Sequence, residues 1–203
     1  MNSQWIKPCF YAFMAGALLV GPLDFFHSIT GIQTYLVCNY FAFTRANWPW
    51  YLPFQMGTIG LVMVIGWTWY RRLVLNRLIP QDAVRILSND IWIPPALAMV
   101  IGGYVLAWAL VDSAHYTAWF VLLFLVLLIL VIMFGSQQQI LAFVMTALIG
   151  ICAEWFLLDP EIGYYEFTQK DWFGRSSSWL LVTYGGVGIF IHQMSQMIDR
   201  PSH

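Results

Sequence analysis

Charge is what this chain has least of. Nine basic and ten acidic residues among 203 leave it 9% charged, with a formal net charge of −1, where soluble domains carry about 25%. A nucleic-acid-binding role is excluded, because phosphate recognition needs clustered Lys and Arg. Cysteine is scarce as well. Cys9, Cys38 and Cys152 are odd in number and never spaced as C-x-x-C, so neither a disulfide framework nor a structural zinc site is expected. A His box of the H-x-x-H-H kind, a G-x-S-x-G elbow, a P-loop and a Gly-rich nucleotide fingerprint are all missing. These absences remove di-iron desaturase, serine-elbow and nucleotide-binding readings.

What fills the chain is apolar, at 60% of residues. No charge falls between Tyr116 and Ala153, a run of 38 residues. As one helix it would measure about 57 Å, against a hydrocarbon core of about 30 Å. It must hold two spans, broken at Gly135-Ser136-Gln137-Gln138-Gln139. The reading is an all-α integral membrane protein of one domain. Its six predicted spans are Pro8–Phe26, Tyr51–Tyr70, Ile91–Val111, Tyr116–Phe134, Ile140–Leu158 and Trp179–Ile198. Asn89 or Asp90 is expected to cap the third, with Pro94-Pro95 in its first turn, where missing N–H groups cost least. Lys7, the stretch Phe10–Val20 and Ala15-Gly16-Ala17 have the outline of a signal peptide; the six-span reading keeps them as the first helix.

Six spans put both termini on one side. That side would hold Lys7, Arg71, Arg72, Arg77, Arg85 and Arg200, the other Arg45, Lys170 and Arg175. The positive-inside rule then makes the termini cytoplasmic, in a prokaryotic inner membrane or an organelle membrane. Trp48, Trp50, Trp92, Trp172 and Trp179 fall at the expected interfaces. The loops 28–50 and 159–178 would lie together on the far side, too apolar for free linkers and suited to interfacial helices or a dip into the membrane.

Five ionisable residues gather at that end: Asp24, His27, Asp112, His115 and Glu154. Asp24 and His27, like Asp112 and His115, follow a D-x-x-H spacing, which on a helix shares one face and suits a shared metal or a proton relay. If a metal were bound, these five would be its ligands; a metal-free site is the expectation. The Asp112–His115 pair reads more simply as a polar turn. Asp24 and Glu154 sit inside or just below the interface, where such groups face the bundle interior or a wet cavity. Ala142, Thr146, Gly150 and Glu154 recur every four residues, as do Ala12 and Gly16 ahead of Asp24; small stripes of this kind pack helices closely. His192, with Gln193 and Gln196, reads as hydrogen-bonded packing.

The chain also holds a faint copy of itself. Asp24, Tyr35, Phe43-Thr44, Trp50 and Gly57 are echoed about 130 residues on by Glu154, Tyr165, Phe167-Thr168, Trp179 and Gly186. This suggests a parallel internal repeat relating helices 1–2 to helices 5–6, with a binding site at the seam. Asp24, Tyr35, Glu154 and Tyr165 are the ligand-binding candidates.

Tyr165-Glu166-Phe167-Thr168, Asp171, Ser178-Trp179-Leu180 and Gly185-Gly186-Val187 resemble the last luminal loop and final helix of the insulin-induced gene (Insig) family. Trp48-Pro49-Trp50-Tyr51-Leu52-Pro53, followed by Gly57-Thr58, looks like the family's second-helix entry. The resemblance covers about a fifth to a quarter of the chain. It implies six helices with cytoplasmic ends and a non-catalytic protein holding a sterol or other lipid within the bundle. Animal members act as retention partners of sterol-sensing membrane proteins, a role that needs its own evidence here. Glu154, the two D-x-x-H pairs and a longer aromatic first loop depart from the family.

Three functions stay open. The first is binding of a membrane lipid, as a homo-oligomer or with a membrane-protein partner. The second is an enzyme acting on an isoprenoid or lipid, with Glu154, Asp24 and His27 catalytic. The third is a small transporter or complex subunit.

Overall fold

The computed structural model describes residues 3–35, 49, 51–79, 89–158, 165–171 and 175–199. Six helices, α1 to α6, form the body: Gln4–Ile29, Leu52–Leu78, Ile93–Leu110, Tyr116–Phe134, Gln137–Leu157 and Trp179–Ile198. Each is long enough to cross a bilayer. The first five are also apolar enough to do so on composition, whereas α6 is polar in its C-terminal half. The molecule is an all-α membrane bundle.

α6 is the axle. It packs chiefly on α5 and α3, and also touches α1, α2 and α4. The close approaches need glycine. At Gly186 an added Cβ would lie 2.8 Å from the Ala96 carbonyl oxygen and 2.8 Å from Met99 Cβ. Lipid supplies no hydrophobic drive for helix association, so backbone proximity of this kind carries the packing.

Several helix ends differ from the sequence expectation. α1 starts before Pro8, which lies inside it; a proline so near the start deprives only Gln4 of a hydrogen-bonding partner. Within α1, Gly16–Val20 is π-helical and gives way to Gly21-Pro22, so the ladder loosens just where proline withholds a donor. α2 does not stop at Tyr70 but continues through a π-helical turn, Arg71–Leu75. Arg71 is fully buried there, giving hydrogen bonds to Ser195 Oγ and the Ser195 carbonyl at 2.9 Å and pairing with Asp199. A charge paired and hydrogen-bonded inside protein need not end a helix. Asn89 and Asp90 do not cap α3; they belong to a 3-10 turn, Asn89–Trp92, and Trp92 is the N-cap residue. α5 begins three residues early, because Ser136 and Gln139 form a reciprocal capping box.

At the opposite end from Arg71, two short strands clasp the loops together. β1 (Gln33–Tyr35) pairs antiparallel with β2 (Tyr165–Phe167), setting Tyr35 opposite Tyr165. The loops therefore do meet, and among the described residues they meet by strand pairing. Positions 36–48, 50, 159–164 and 172–174 lie outside the described residues, among them Phe43, Thr44, Trp48, Trp50 and Trp172. Trp92 and Trp179 correct the interface expectation. Their rings are buried in the protein core, because Tyr104, His27 and Phe167 surround Trp179.

Candidate functional site

Beneath the strand pair lies a cavity of about 410 Å³, within the range usual for small-ligand sites. α1, α2, α3, α5 and α6 line it, and α4 contributes nothing. Its two ends differ in chemistry. Under the strands it is polar and aromatic, lined by Asp24, Glu154, Tyr104, Tyr184, Gln33 and Tyr165. Toward the other end the lining is Ala12, Met63, Val187, Phe190 and Ile191. Asp24 and Ala12 are separated by about 18 Å of helix, at 1.5 Å per residue.

Both carboxylates face this space. Asp24 is 4% exposed and accepts a bond from the Tyr104 hydroxyl at 3.5 Å. Glu154 is 9% exposed and accepts through Oε1 from the Tyr184 hydroxyl. Its second oxygen, Oε2, is buried without a hydrogen-bond partner, as is Thr183 Oγ1 in the same lining. The stripe on α5 produces this placement. Ala142, Thr146, Gly150 and Glu154 all point at α6 and are buried. Gly150 is required because Tyr184 lies against its α-carbon, where a Cβ would collide with the ring.

The cavity opens sideways. Ile59 on α2 and Ile149 on α5 line it, yet are 44% and 59% exposed. α1 and α2 pack on one another and on α6, while α5 packs on α6 and α4. The gap between those two groups faces the surrounding lipid.

The remaining candidates are placed elsewhere. His27 is fully buried, its Nε2 hydrogen-bonded to the Tyr104 carbonyl at 2.7 Å and its ring against Trp179 at 4.9 Å. Both His27 and Asp24 meet Tyr104, one at its carbonyl and the other at its hydroxyl, but His27 does not line the cavity. Asp112 and His115 are exposed in the α3–α4 turn, so they share no helical face and stand apart from Glu154. Among the described residues no group of three or more His, Cys, Asp or Glu is arranged to hold a metal. Tyr165 is buried in the lining; Tyr35 is described by its backbone alone. His192 is fully buried and hydrogen-bonded, accepting from Trp67 Nε1 at 3.2 Å and meeting Gln196 Nε2 at 2.9 Å.

Tyr104 and Tyr184 were missed in the sequence. Each is a hydroxyl placed beside a glycine pair, Gly102-Gly103 and Gly185-Gly186, and that adjacency was the available signal.

A six-helix membrane bundle with a laterally open, one-ended polar cavity is the class these features define. No family model matches the sequence, and no curated protein matches it. Among solved structures, the chain is similar to MvINS, a mycobacterial Insig homolog from Mycobacterium vanbaalenii, at 19% identity and a TM-score of 0.70, over 98% of both chains. A cross-linked trimer of a cysteine-substituted MvINS matches at 20% identity and a TM-score of 0.69, again over 98% of both chains. The fold is therefore Insig-like along nearly its whole length, well beyond the quarter of the chain that carries the sequence resemblance.

Proposed function

We propose that this protein binds a single-headed amphiphile, a lipid or sterol-like molecule, in the cavity between α1, α2, α3, α5 and α6. The observation that carries the reading is the cavity's polarity gradient. Two carboxylates and two tyrosine hydroxyls sit at one end, and aliphatic and aromatic side chains line the rest. That is the shape of a molecule with one polar head and a hydrocarbon body, and the gap at Ile59 and Ile149 gives it a path from the bilayer. The Insig-like fold supports the same reading. Asp24, Glu154, Tyr104 and Tyr184 would hold the head, with Tyr165 closing over it beside Tyr35 in the strand pair.

The test is native mass spectrometry of the protein purified in mild detergent. One bound lipid per chain is expected, displaced when Ile149→Trp blocks the mouth. A chain free of lipid under those conditions, and unable to take one up, sinks the proposal. Cytoplasmic termini belong to the same proposal: the charge asymmetry supports them, and the contacts of Arg72 with Trp5 and Asp199, which bring residues near the two termini together, agree with six spans. Self-association in the membrane, as in the MvINS trimer, belongs to the same proposal and is read from the mass of the detergent-solubilised particle.

A second reading, catalysis on an apolar substrate with Glu154 as general acid or base, draws on the partnerless Oε2 in the cavity. It loses His27 as a partner, since that ring is turned to the Tyr104 backbone. Full turnover by Glu154→Gln would end it.

A further inference from the structure

We infer that Glu154 sets the cavity's specificity: its Oε2 takes a hydrogen bond from an uncharged hydroxyl head, so the cavity selects a lipid alcohol over the matching ether or ester. The inference rests on the lipid-binding reading above and adds the chemistry of the head.

Glu154 stands on α5 in the cavity lining and is 9% exposed. Its Oε1 accepts from the Tyr184 hydroxyl, while Oε2 is buried and has no hydrogen-bond partner among the described residues. Tyr184 has one proton to donate and it is already engaged. A buried acceptor left unpaired costs more than an ordinary hydrogen bond returns, so an arriving donor gains that difference. The terminal torsion of a glutamate is soft, and Oε2 can turn toward the cavity at little cost. Its neighbours in the lining suit the same head. Thr183 Oγ1 is also buried without a partner, and Gln33, 3% exposed, carries an amide that both donates and accepts. Such groups serve the oxygen of a hydroxyl whose proton is shared with Glu154. A neutral head also leaves water for a buried site at far lower cost than an ionic one. Among neutral heads, an ether or ester oxygen only accepts and offers Oε2 nothing.

The experiment offers 1-hexadecanol and hexadecyl methyl ether in equal amounts to the protein in phosphatidylcholine nanodiscs, whose lipids carry no O–H. The amount of each retained per chain, above that in empty nanodiscs, is read by mass spectrometry. Wild type is expected to favour the alcohol about tenfold or more. Glu154→Leu and Glu154→Met should each bring the two probes to within about twofold of one another, while still retaining the ether. Thermal melts identify which variant is folded, and either one suffices. Equal uptake of the two probes by wild type, or a preference untouched in a folded variant, overturns the inference and leaves the lipid-binding reading standing. Retention of neither probe above the empty nanodiscs overturns that reading, and the inference with it.

Discussion

α4 and α6 are nearly the same length, 19 and 20 residues, and are opposites in every other respect. After Thr117, α4 carries no charged, amide or hydroxyl side chain. Most of its residues are nonetheless turned outward, with Trp119, Leu122, Leu125, Ile129 and Ile132 at about half exposure or more. α6 carries Thr183, Tyr184, His192, Gln193, Ser195 and Gln196 and buries nearly all of its length. In water the apolar helix would be the buried one. In a bilayer the solvent is hydrocarbon, so lipid-facing positions need no partner and polar ones must find it inside the protein. Hydropathy in this molecule marks what faces lipid. The proposed binding site sits on the other helix and its neighbours.

The comparison can be broken most forcefully at the end of α6. Arg71→Ala leaves Asp199 and Ser195 without their buried guanidinium. It should cost about 3–5 kcal/mol, read as a large fall in thermal stability in detergent. Arg72→Ala removes an exposed partner of the same carboxylate, 43% exposed in its side chain, and should cost at most about 1 kcal/mol. Next comes packing. Gly186→Val forces side-chain atoms into the Ala96 carbonyl and Met99, and should destabilise by about 1–3 kcal/mol, whereas Gly102→Ala on α3, with nothing within 4 Å of its Cβ, should be neutral or mildly stabilising.

Smaller effects sharpen the contrast. Gln193 is 1% exposed, and neither of its amide atoms has a hydrogen-bond partner. Gln193→Leu should therefore hold stability or raise it by about 1 kcal/mol, the reverse of what a buried glutamine in a satisfied network would give. Ser136→Ala removes the capping box of α5 and should cost about 1 kcal/mol. Leu125→Ala on the outer face of α4 should move the melting temperature least, below about 0.5 kcal/mol. A large loss there would mean that α4 is covered by protein.

The same inversion explains what the sequence disclosed and what it withheld. α4 is legible because a polar turn at Asp112–His115 and the Gly135-Ser136 break bound a pure hydrocarbon run. The inward aim of Glu154 is legible because Ala142, Thr146 and Gly150 place small residues on its face, and only a helix neighbour needs them small. Arg71 misled. A double arginine after an apolar run signals the membrane edge, unless a partner helix brings Ser195 and Asp199 to it. Trp179 misled for a similar reason, since an indole at a helix start fits an interface as well as a core. The strands left no trace, because three residues are too few to show a period. Tyr104 and Tyr184 were invisible as site residues because a tyrosine in an apolar span reads equally as packing. Only the fold shows that each hydroxyl meets a carboxylate.

The most direct measurement is photolabelling with a lipid whose tail carries a photoreactive group, followed by peptide mapping. Saturable labelling of the cavity lining on α1, α2, α5 and α6, such as Met56, Met63 and Val187, competed away by unlabelled lipid, is the expected result. Labelling that rises without saturation and falls mainly on the outer face of α4 would show lipid only as solvent, and would contradict the account.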